Sequence, residues 1–387
     1  MGTRILVNDR CLGGGGGVAV YLRNVLDHWP AQSAVRLEGF CAAVPLLGRL
    51  TAARAGGSAE LLALRPLKTL RACERRRYRL PRRVTRTMQR AYALAFAARL
   101  RSGRLAACFE PNHLAPVGGK PVFTTMHDLS VIEHPQWHPA NRIAQWESDL
   151  PATLANTTQW IAVSQFTAGR MAAVLGVPPE RVAVIPLAAR PLAYPDRAGI
   201  ESLKRAGVLP ERFVLCLGTL EPRKNLLTLL DAWASMERRG EARLVLAGGR
   251  GWGGPEFWKA LLGHPMAGEV LASRYVSDEA AAALLAGADA VLVPSHYEGF
   301  GLPVLEAFAC GSPVICSRAQ ALVELAGGAA ETLDAGDVEG WSKAMARALS
   351  DASWRRQCAL AGRQRASRYS WARTAASLER LMAEKLH

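Results

Sequence analysis

Short apolar runs alternate with longer amphipathic stretches along most of the chain. An apolar run of four to six residues between turn residues marks a strand buried on both faces, and apolar residues at helical spacing mark a helix with one buried face. In the first half, Arg4 to Asn8 reads as a strand, Gly13 to Gly17 follow as a loop, and Val18 to His28 reads as an amphipathic helix. Phe123 to Met126 and Trp160 to Ser164 read as further buried strands, with Ser164 placed to cap the helix behind it. Val182 to Pro186 is a last short strand. Pro186, Pro191 and Pro195 then break any regular element and mark a boundary between residues 187 and 200.

The second half carries the pattern more clearly. Phe213 to Gly218, Leu244 to Ala247, Ala290 to Pro294 and Pro313 to Cys316 are strands. Between them, Leu226 to Arg239 is a helix capped by Asn225 and stopped by Gly240, and Ser277-Asp278-Glu279 opens a helix that ends at Gly287. Pro303 to Cys310 is a helix with Pro at its first position and Gly311 just past its end. Trp371 to His387 is an amphipathic helix. Strands alternating with helices predict an α/β protein with parallel, doubly wound sheets.

Composition sharpens this. A chain of 387 residues exceeds the usual size of one core, so two domains are expected, and 50% hydrophobic with 21% charged residues is a globular balance. Ile5-Leu6-Val7 is too short for a secretory apolar region, and no apolar run reaches membrane-spanning length, so a cytoplasmic protein is expected. The eight cysteines are scattered without a C-x-x-C pair and read as reduced thiols. The net charge of +15 is concentrated between residues 65 and 104, where Glu74 alone opposes a run of Lys and Arg. The block reads as helical. It either seeks a polyanion, such as an anionic membrane face, or forms a solvated helical surface.

In an open α/β sheet, ligands bind beyond the carboxyl ends of the strands. Two loops there stand out. Thr219 to Asn225 places Arg223 and Lys224 just before a helix, which makes either a diphosphate clamp or an ordinary basic turn. Ser295 to Glu306 contains Gly299 and Gly301, which let the backbone approach a ligand, and Pro303, which leaves the amides around Gly301 and Leu302 facing outward. Glu306, read as lying in the first turn of an apolar helix, is a dipole partner or an acceptor for hydroxyl groups. Glu298 repels phosphate but could accept from a sugar. His127, His134 and His138, with Asp128 and Glu133 nearby, raise the question of zinc, but Pro135, Trp137 and Pro139 make the segment irregular and no metal is expected.

The string Glu298-Gly-Phe-Gly-Leu-Pro-Val-Leu-Glu306, continued by Ala-Phe-Ala-Cys-Gly311-Ser-Pro-Val, resembles the Glu-x7-Glu motif of the retaining family-4 glycosyltransferases of GT-B fold. Gly218 with Glu221-Pro-Arg223-Lys224-Asn225-Leu resembles that family's diphosphate-binding stretch, and Gly13 to Gly17 its N-terminal glycine loop. His127-Asp128 resembles the histidine motif of a mannosyltransferase-like branch, and Ser370-Trp371 with its helix the segment that crosses back to the first domain. The family often carries Asn-Gly-Val-Asp at the hinge. This chain has Leu187-Ala188-Ala189-Arg190, which removes the expectation of a hinge-borne contact.

The resemblance implies two Rossmann-like domains facing a cleft: residues 1–190 for the acceptor, 191–370 for the nucleotide sugar, and a helix at 371–387 crossing back. It implies a metal-independent hexosyltransferase without cofactor. Arg223 and Lys224 would neutralise the diphosphate, assisted by Gly218 and Thr219, and Glu306 would hold the ribose. Val276 would border the base, and Glu298 with Gly299, Phe300, Gly301 and Leu302 would hold the transferred sugar. His127 would bind a sugar hydroxyl near the reacting centre. Gly14, Gly15, Gly16 and Gly17 would approach acceptor or phosphate, and Asp128 would orient the histidine loop. GDP-mannose is the first donor suggested, ahead of UDP- or dTDP-sugars, with a lipid-linked or saccharide acceptor in polysaccharide or lipopolysaccharide synthesis. The segment 65–104 would dock peripherally on the anionic inner membrane surface, Leu70, Tyr78, Leu80 and Met88 inserting shallowly. A nucleic-acid-binding role competes on charge alone, and no helix-turn-helix, zinc finger or RNP-type aromatic motif supports it. A sugar-nucleotide epimerase on the same fold is the other enzyme reading, opposed by the two glutamates.

Overall fold

The computed structural model describes residues 3–13, 16–40, 62–69, 82–102, 104–113, 118–237, 239–273 and 276–386. In chain order the strands are β1 (Thr3–Val7), β2 (Val35–Gly39), β3 (Arg65–Pro66), β4 (Ala107–Glu110), β5 (Val122–Met126), β6 (Gln159–Ala162), β7 (Val182–Val184), β8 (Phe213–Leu217), β9 (Arg243–Ala247), β10 (Leu271–Ser273), β11 (Ala290–Val293), β12 (Val314–Ser317) and β13 (Glu331–Leu333). They form two sheets, ordered β2-β1-β4-β5-β6-β7 and β13-β12-β11-β8-β9-β10-β3. Every pairing is parallel except that of β3 with β10. Every residue of β4, β5, β6, β8, β11 and β12 is buried, as parallel strands covered by helices on both faces require.

The strand order reverses between β1 and β4 in the first sheet and between β8 and β11 in the second. At such a reversal the two flanking loops leave in opposite directions and open a crevice for a ligand. In the second sheet those loops are the ones that carry Arg223-Lys224 and Glu298.

One apolar core runs through both halves. It links Ile5 and Phe109 of the first sheet, Ile185 and Leu187 of the linker, Phe213 and Val291 of the second sheet, and Trp371, Leu378 and Met382 of the terminal helix Trp371–Leu386. That helix lies on the first half: Trp371 Nε1 donates to the Ala189 carbonyl at 2.8 Å, Thr374 Oγ1 to the Pro186 carbonyl at 2.7 Å, and Glu379 accepts from Ser33 Oγ at 2.8 Å.

The local readings need four corrections. Asn225 occupies the N-cap position but makes no side-chain bond to the helix amides: its φ of 54° is left-handed, and its side chain donates to the carbonyls of Pro294 (3.2 Å) and Ala335 (2.6 Å) while accepting from Thr228 Oγ1 (2.7 Å). It ties three loops together at the crevice. The helix it precedes spans Leu226–Ala234 and ends five residues early, where Met236 turns in to be buried. Glu306 is the fifth residue of the helix Leu302–Cys310, beyond the first turn, so a dipole role is excluded. The basic block is not one helix: Arg65–Pro66 is an edge strand on the second sheet and Leu67–Thr69 a 3₁₀ turn, and the helix spans Arg82–Ser102. Gly14 and Gly15, and Leu70, Arg71, Arg75, Arg76, Arg77, Tyr78, Arg79 and Leu80 of the proposed membrane surface, lie outside the described residues, as does the side chain of Met88.

Candidate active site

The loop after β8 starts at Gly218, whose φ of 143° suits only glycine, and a Cβ there would lie 3.8 Å from Lys224 Cε. The chain then turns through Thr219, which is exposed, into the 3₁₀ helix Pro222–Lys224. The loop after β11 runs alongside, joined to it by the His296 amide donating to the Arg223 carbonyl at 2.9 Å. These two loops bring Arg223, Lys224 and Glu298 together.

Glu298 is buried and fully engaged. Its Oε1 accepts from Lys224 Nζ at 2.5 Å and Ser295 Oγ at 2.7 Å, and its Oε2 accepts from Arg223 Nη1 at 2.8 Å. Burial alone would raise its pKa, but the charges and hydrogen bonds of Arg223 and Lys224 outweigh that and hold it down to about 2. Burial likewise works against the Arg223 charge, and Glu298, Glu221 and Asp128 more than restore it, raising its pKa. Glu221 Oε1 lies 2.7 Å from Arg223 Nε, and burial raises the Glu221 pKa. Glu298, which the sequence offers to a sugar, is in this geometry the internal counter-ion of a cation pair, with Ser295 as a further partner that no motif had flagged.

Glu306 faces the same crevice and is also paired. Arg190 of the linker donates Nε to its Oε1 at 2.5 Å and Nη2 to its Oε2 at 3.0 Å, and Tyr194 Oη donates to its carbonyl at 3.2 Å. The linker therefore does make a contact at this site. Val276 packs at the edge of the core near the N-terminus of the helix Asp278–Gly287, and Leu302 is partly buried against the same core. Phe300 is buried with its ring 6.0 Å from that of Tyr369, which leaves only its backbone for a ligand.

The first half closes over these loops. His127 and Asp128 follow β5, and a Cβ on Gly299 would come 1.8 Å from the His127 carbonyl oxygen and 2.9 Å from Asp128 Cβ. Only a glycine permits this approach. Ser164 Oγ and Thr167 Oγ1 donate to the Gly299 carbonyl at 2.6 and 3.1 Å, and Tyr297 Oη donates to Glu133 at 2.9 Å. Glu324 accepts from the amides of Gln165 and Phe166, both at 2.9 Å, and so caps a helix of the other half.

Burial lowers the His127 pKa, against the pull of the Pro111 hydrogen bond and of Asp128, and its Nε2 lies 2.8 Å from the Pro111 carbonyl. Nε2 must carry a proton there, and in the neutral ring that burial favours Nδ1 is the acceptor. The ring packs edge-on against Tyr21, 5.1 Å between centroids. Asp128 accepts from the amide and hydroxyl of Ser130 at 3.0 and 2.7 Å. The other two histidines turn elsewhere: His134 stacks on Trp137 at 4.1 Å, and His138 Nε2 lies 3.0 Å from Ser130 Oγ. Among the described residues no group of three or more His, Cys, Asp and Glu is placed to hold a metal. Gly16 and Gly17 open the helix Gly17–Asp27, and a Cβ on either would meet nothing within 4 Å.

The model of Glycosyl transferases group 1 matches residues 201–365, and that of Glycosyltransferase Family 4 matches residues 15–189. The O-antigen chain mannosyltransferase B of Escherichia coli is 34% identical over 266 residues, 67% of this chain and 70% of that protein. The GDP-mannose-dependent alpha-(1-6)-phosphatidylinositol dimannoside mannosyltransferase of Mycobacterium tuberculosis is 36% identical over 170 residues, 42% of this chain and 41% of that protein. Among solved structures, the sucrose-phosphate synthase of Thermosynechococcus elongatus has the same fold, with a TM-score of 0.70 over 99% of both chains at 20% identity. With two doubly wound sheets, a cation pair at the second strand reversal and these relatives, the chain belongs to the family-4 glycosyltransferases of GT-B fold, in their mannosyltransferase-like branch, and is a hexosyltransferase.

Proposed function

We propose that the enzyme transfers mannose from GDP-mannose to a lipid-linked or saccharide acceptor in cell-surface polysaccharide or lipopolysaccharide synthesis, with retention at the anomeric carbon and without a metal. The observation that carries this reading is the pair of Arg223, partly buried, and Lys224, buried, at the strand reversal beside Glu298. Two fixed cations in a crevice of low dielectric suit a diphosphate and the charge that grows on it as the sugar leaves. Glu306 takes the ribose, the segment around Val276 borders the base, and the amides of Gly299 to Leu302 face the sugar. His127 accepts a sugar hydroxyl at Nδ1. On the first half, the glycines 14–17 and Asp128 border the acceptor.

The bond from the anomeric carbon to the phosphate oxygen breaks, and a bond to the acceptor oxygen forms on the same face. The acceptor proton passes to the departing phosphate oxygen. Neither glutamate serves as a nucleophile, since Glu298 holds two cations and Glu306 holds the ribose.

The donor identity rests on the mannosyltransferase relatives. The cytoplasmic membrane face remains the proposed place of action. Among the described residues no helix is long and apolar enough to cross a membrane, and Arg99 of the basic block is paired with Glu38. The docking surface proposed is the basic segment 65–104.

The test is a melting-temperature panel of GDP, UDP, dTDP and ADP with their sugar conjugates, without added metal, on the wild type and Glu306→Ala. A ligand that binds only the folded state raises the melting temperature with its concentration over Kd. A shift with guanosine ligands that shrinks in Glu306→Ala is expected. A shift with uridine or thymidine ligands alone would move the donor to a UDP- or dTDP-sugar, and an undiminished shift in Glu306→Ala would overturn the ribose role.

A further inference from the structure

Arg190 belongs to none of the motifs that mark the site, yet its guanidinium occupies it. Nε and Nη2 take the two oxygens of Glu306 at 2.5 and 3.0 Å, and Nη1 takes Asp278 Oδ1 at 2.7 Å. The pairing with Glu306 is bidentate and end-on, one N–H on each oxygen. A vicinal diol, with two hydroxyls side by side, approaches a carboxylate along the same line and uses the same two oxygens. The Glu306 side chain is only 5% exposed, which leaves no second face for the diol to use.

We propose that Arg190 is the resident occupant of the ribose subsite: the donor's ribose diol displaces its guanidinium from Glu306, and the return of the guanidinium drives out the nucleoside diphosphate product. This rests on the ribose role of Glu306 proposed above.

Two features fit the side chain for such an exchange. The linker backbone around it is pinned to the terminal helix, through Trp371 on the Ala189 carbonyl and Thr374 on the Pro186 carbonyl. Displacement therefore swings a side chain and leaves the linker in place. Asp278, with 68% of its side chain exposed, already holds Nη1 and keeps the arginine once Glu306 is given up. An exposed pair of this kind is weak, whereas the pair lost at Glu306 is buried and charge-assisted. The exchange is uphill, so it lowers the affinity for any nucleotide that uses Glu306. A nucleotide without ribose hydroxyls leaves Arg190 where it is and bears none of that cost.

The experiment is calorimetric titration of GDP and 2′,3′-dideoxy-GDP (or the uridine pair, if the melting panel selects uridine) into the wild type and Arg190→Gln. The quantity read is the ratio of the dideoxy Kd to the ribo Kd. Loss of the competing guanidinium should raise that ratio about tenfold, equivalent to one charge-assisted hydrogen bond. The change should lie in the ribonucleotide, with the dideoxy Kd unmoved, and product inhibition should tighten alongside. A ratio above one that Arg190→Gln leaves unchanged or lowers would overturn the displacement while leaving the ribose role of Glu306 intact. A ratio of one in both proteins would overturn both. Arg190→Lys keeps the charge but offers one point contact. It covers the case in which the glutamine variant does not fold, and should raise the ratio in the same direction by a smaller factor.

Discussion

Replacing Glu298 by glutamine keeps the shape of the side chain and removes the charge that holds Arg223 and Lys224. The cost can be worked from the site in two ways. A carboxyl held at about 2 in place of its ordinary 4.5 corresponds to about 3 kcal/mol of folding stability at neutral pH. Removing one partner of a buried ion pair costs about 3–5 kcal/mol, because the other charge is left behind. Glutamine adds a local conflict, since its amide N–H groups would face the N–H donors of Arg223 or Lys224. For a chain of 387 residues this predicts a fall in melting temperature of about 5–10 °C, with the larger value if the second half unfolds alone. The direction with pH follows from the sign of the shift. The folded-state value is depressed, so the stabilisation is complete above about 4.5 and is lost as the pH falls toward 2. The glutamine variant should lack this part of the acid sensitivity. A nucleoside diphosphate would then meet two cations without their internal counter-ion. Its affinity should rise by about tenfold, so that saturating GDP restores more melting temperature in Glu298→Gln than it adds to the wild type. The catalytic rate should fall, because the cations are no longer aimed. The assay is thermal unfolding with and without GDP at pH 7. A loss under 1 °C together with an unchanged GDP shift would refute the counter-ion role.

Gly299→Ala would drive a methyl group into the His127 carbonyl, at 1.8 Å, and against Asp128 Cβ, at 2.9 Å. The halves must part, so transfer activity should drop by about 100-fold while calorimetry finds nucleotide binding retained on the second half. Glu110 is buried at the strand reversal of the first sheet, where Asn8 Nδ2 donates to it at 2.5 Å and Tyr92 Oη donates to Asn8 at 2.6 Å. Burial pushes its pKa up to about 8, against the Asn8 hydrogen bond and the Arg10 charge. A raised folded-state value means that the associated stability is complete below about 4.5 and is lost as the pH rises through 8. Glu110→Gln should remove up to about 5 kcal/mol of that pH dependence, read as urea midpoints at pH 5 and pH 9. Equal slopes in the two proteins would show that Glu110 is ionised in the fold.

The fold class and the loops that form the candidate site were open to reading from the sequence because both depend on local pattern. Buried parallel strands such as Phe213–Leu217 and Ala290–Val293 leave unbroken apolar runs. Glycines at 218, 299 and 301, with Pro303 behind them, mark where the backbone must turn or be approached. Side-chain partnership is not local. Whether Glu298 faces a sugar or two cations depends on how far Ser295 and Lys224 lie from it across two loops, and its 74-residue separation from Lys224 is closed only by the pairing of β8 with β11. Asn225 has the composition of a helix cap, yet its left-handed backbone is fixed by the carbonyls of Pro294 and Ala335, which a sequence window around it cannot contain. Arg190 shows the limit most plainly. By itself it is one more arginine in a basic chain, and its departure from the common hinge pattern suggested a lost contact. The terminal helix clamps the linker on the first half, and that placement carries the guanidinium 116 residues along the chain to Glu306. Sequence set the elements and the chemistry available at each loop. Tertiary structure chose which charges meet, because pairing energies depend on distance and burial, and these are properties of the packed molecule.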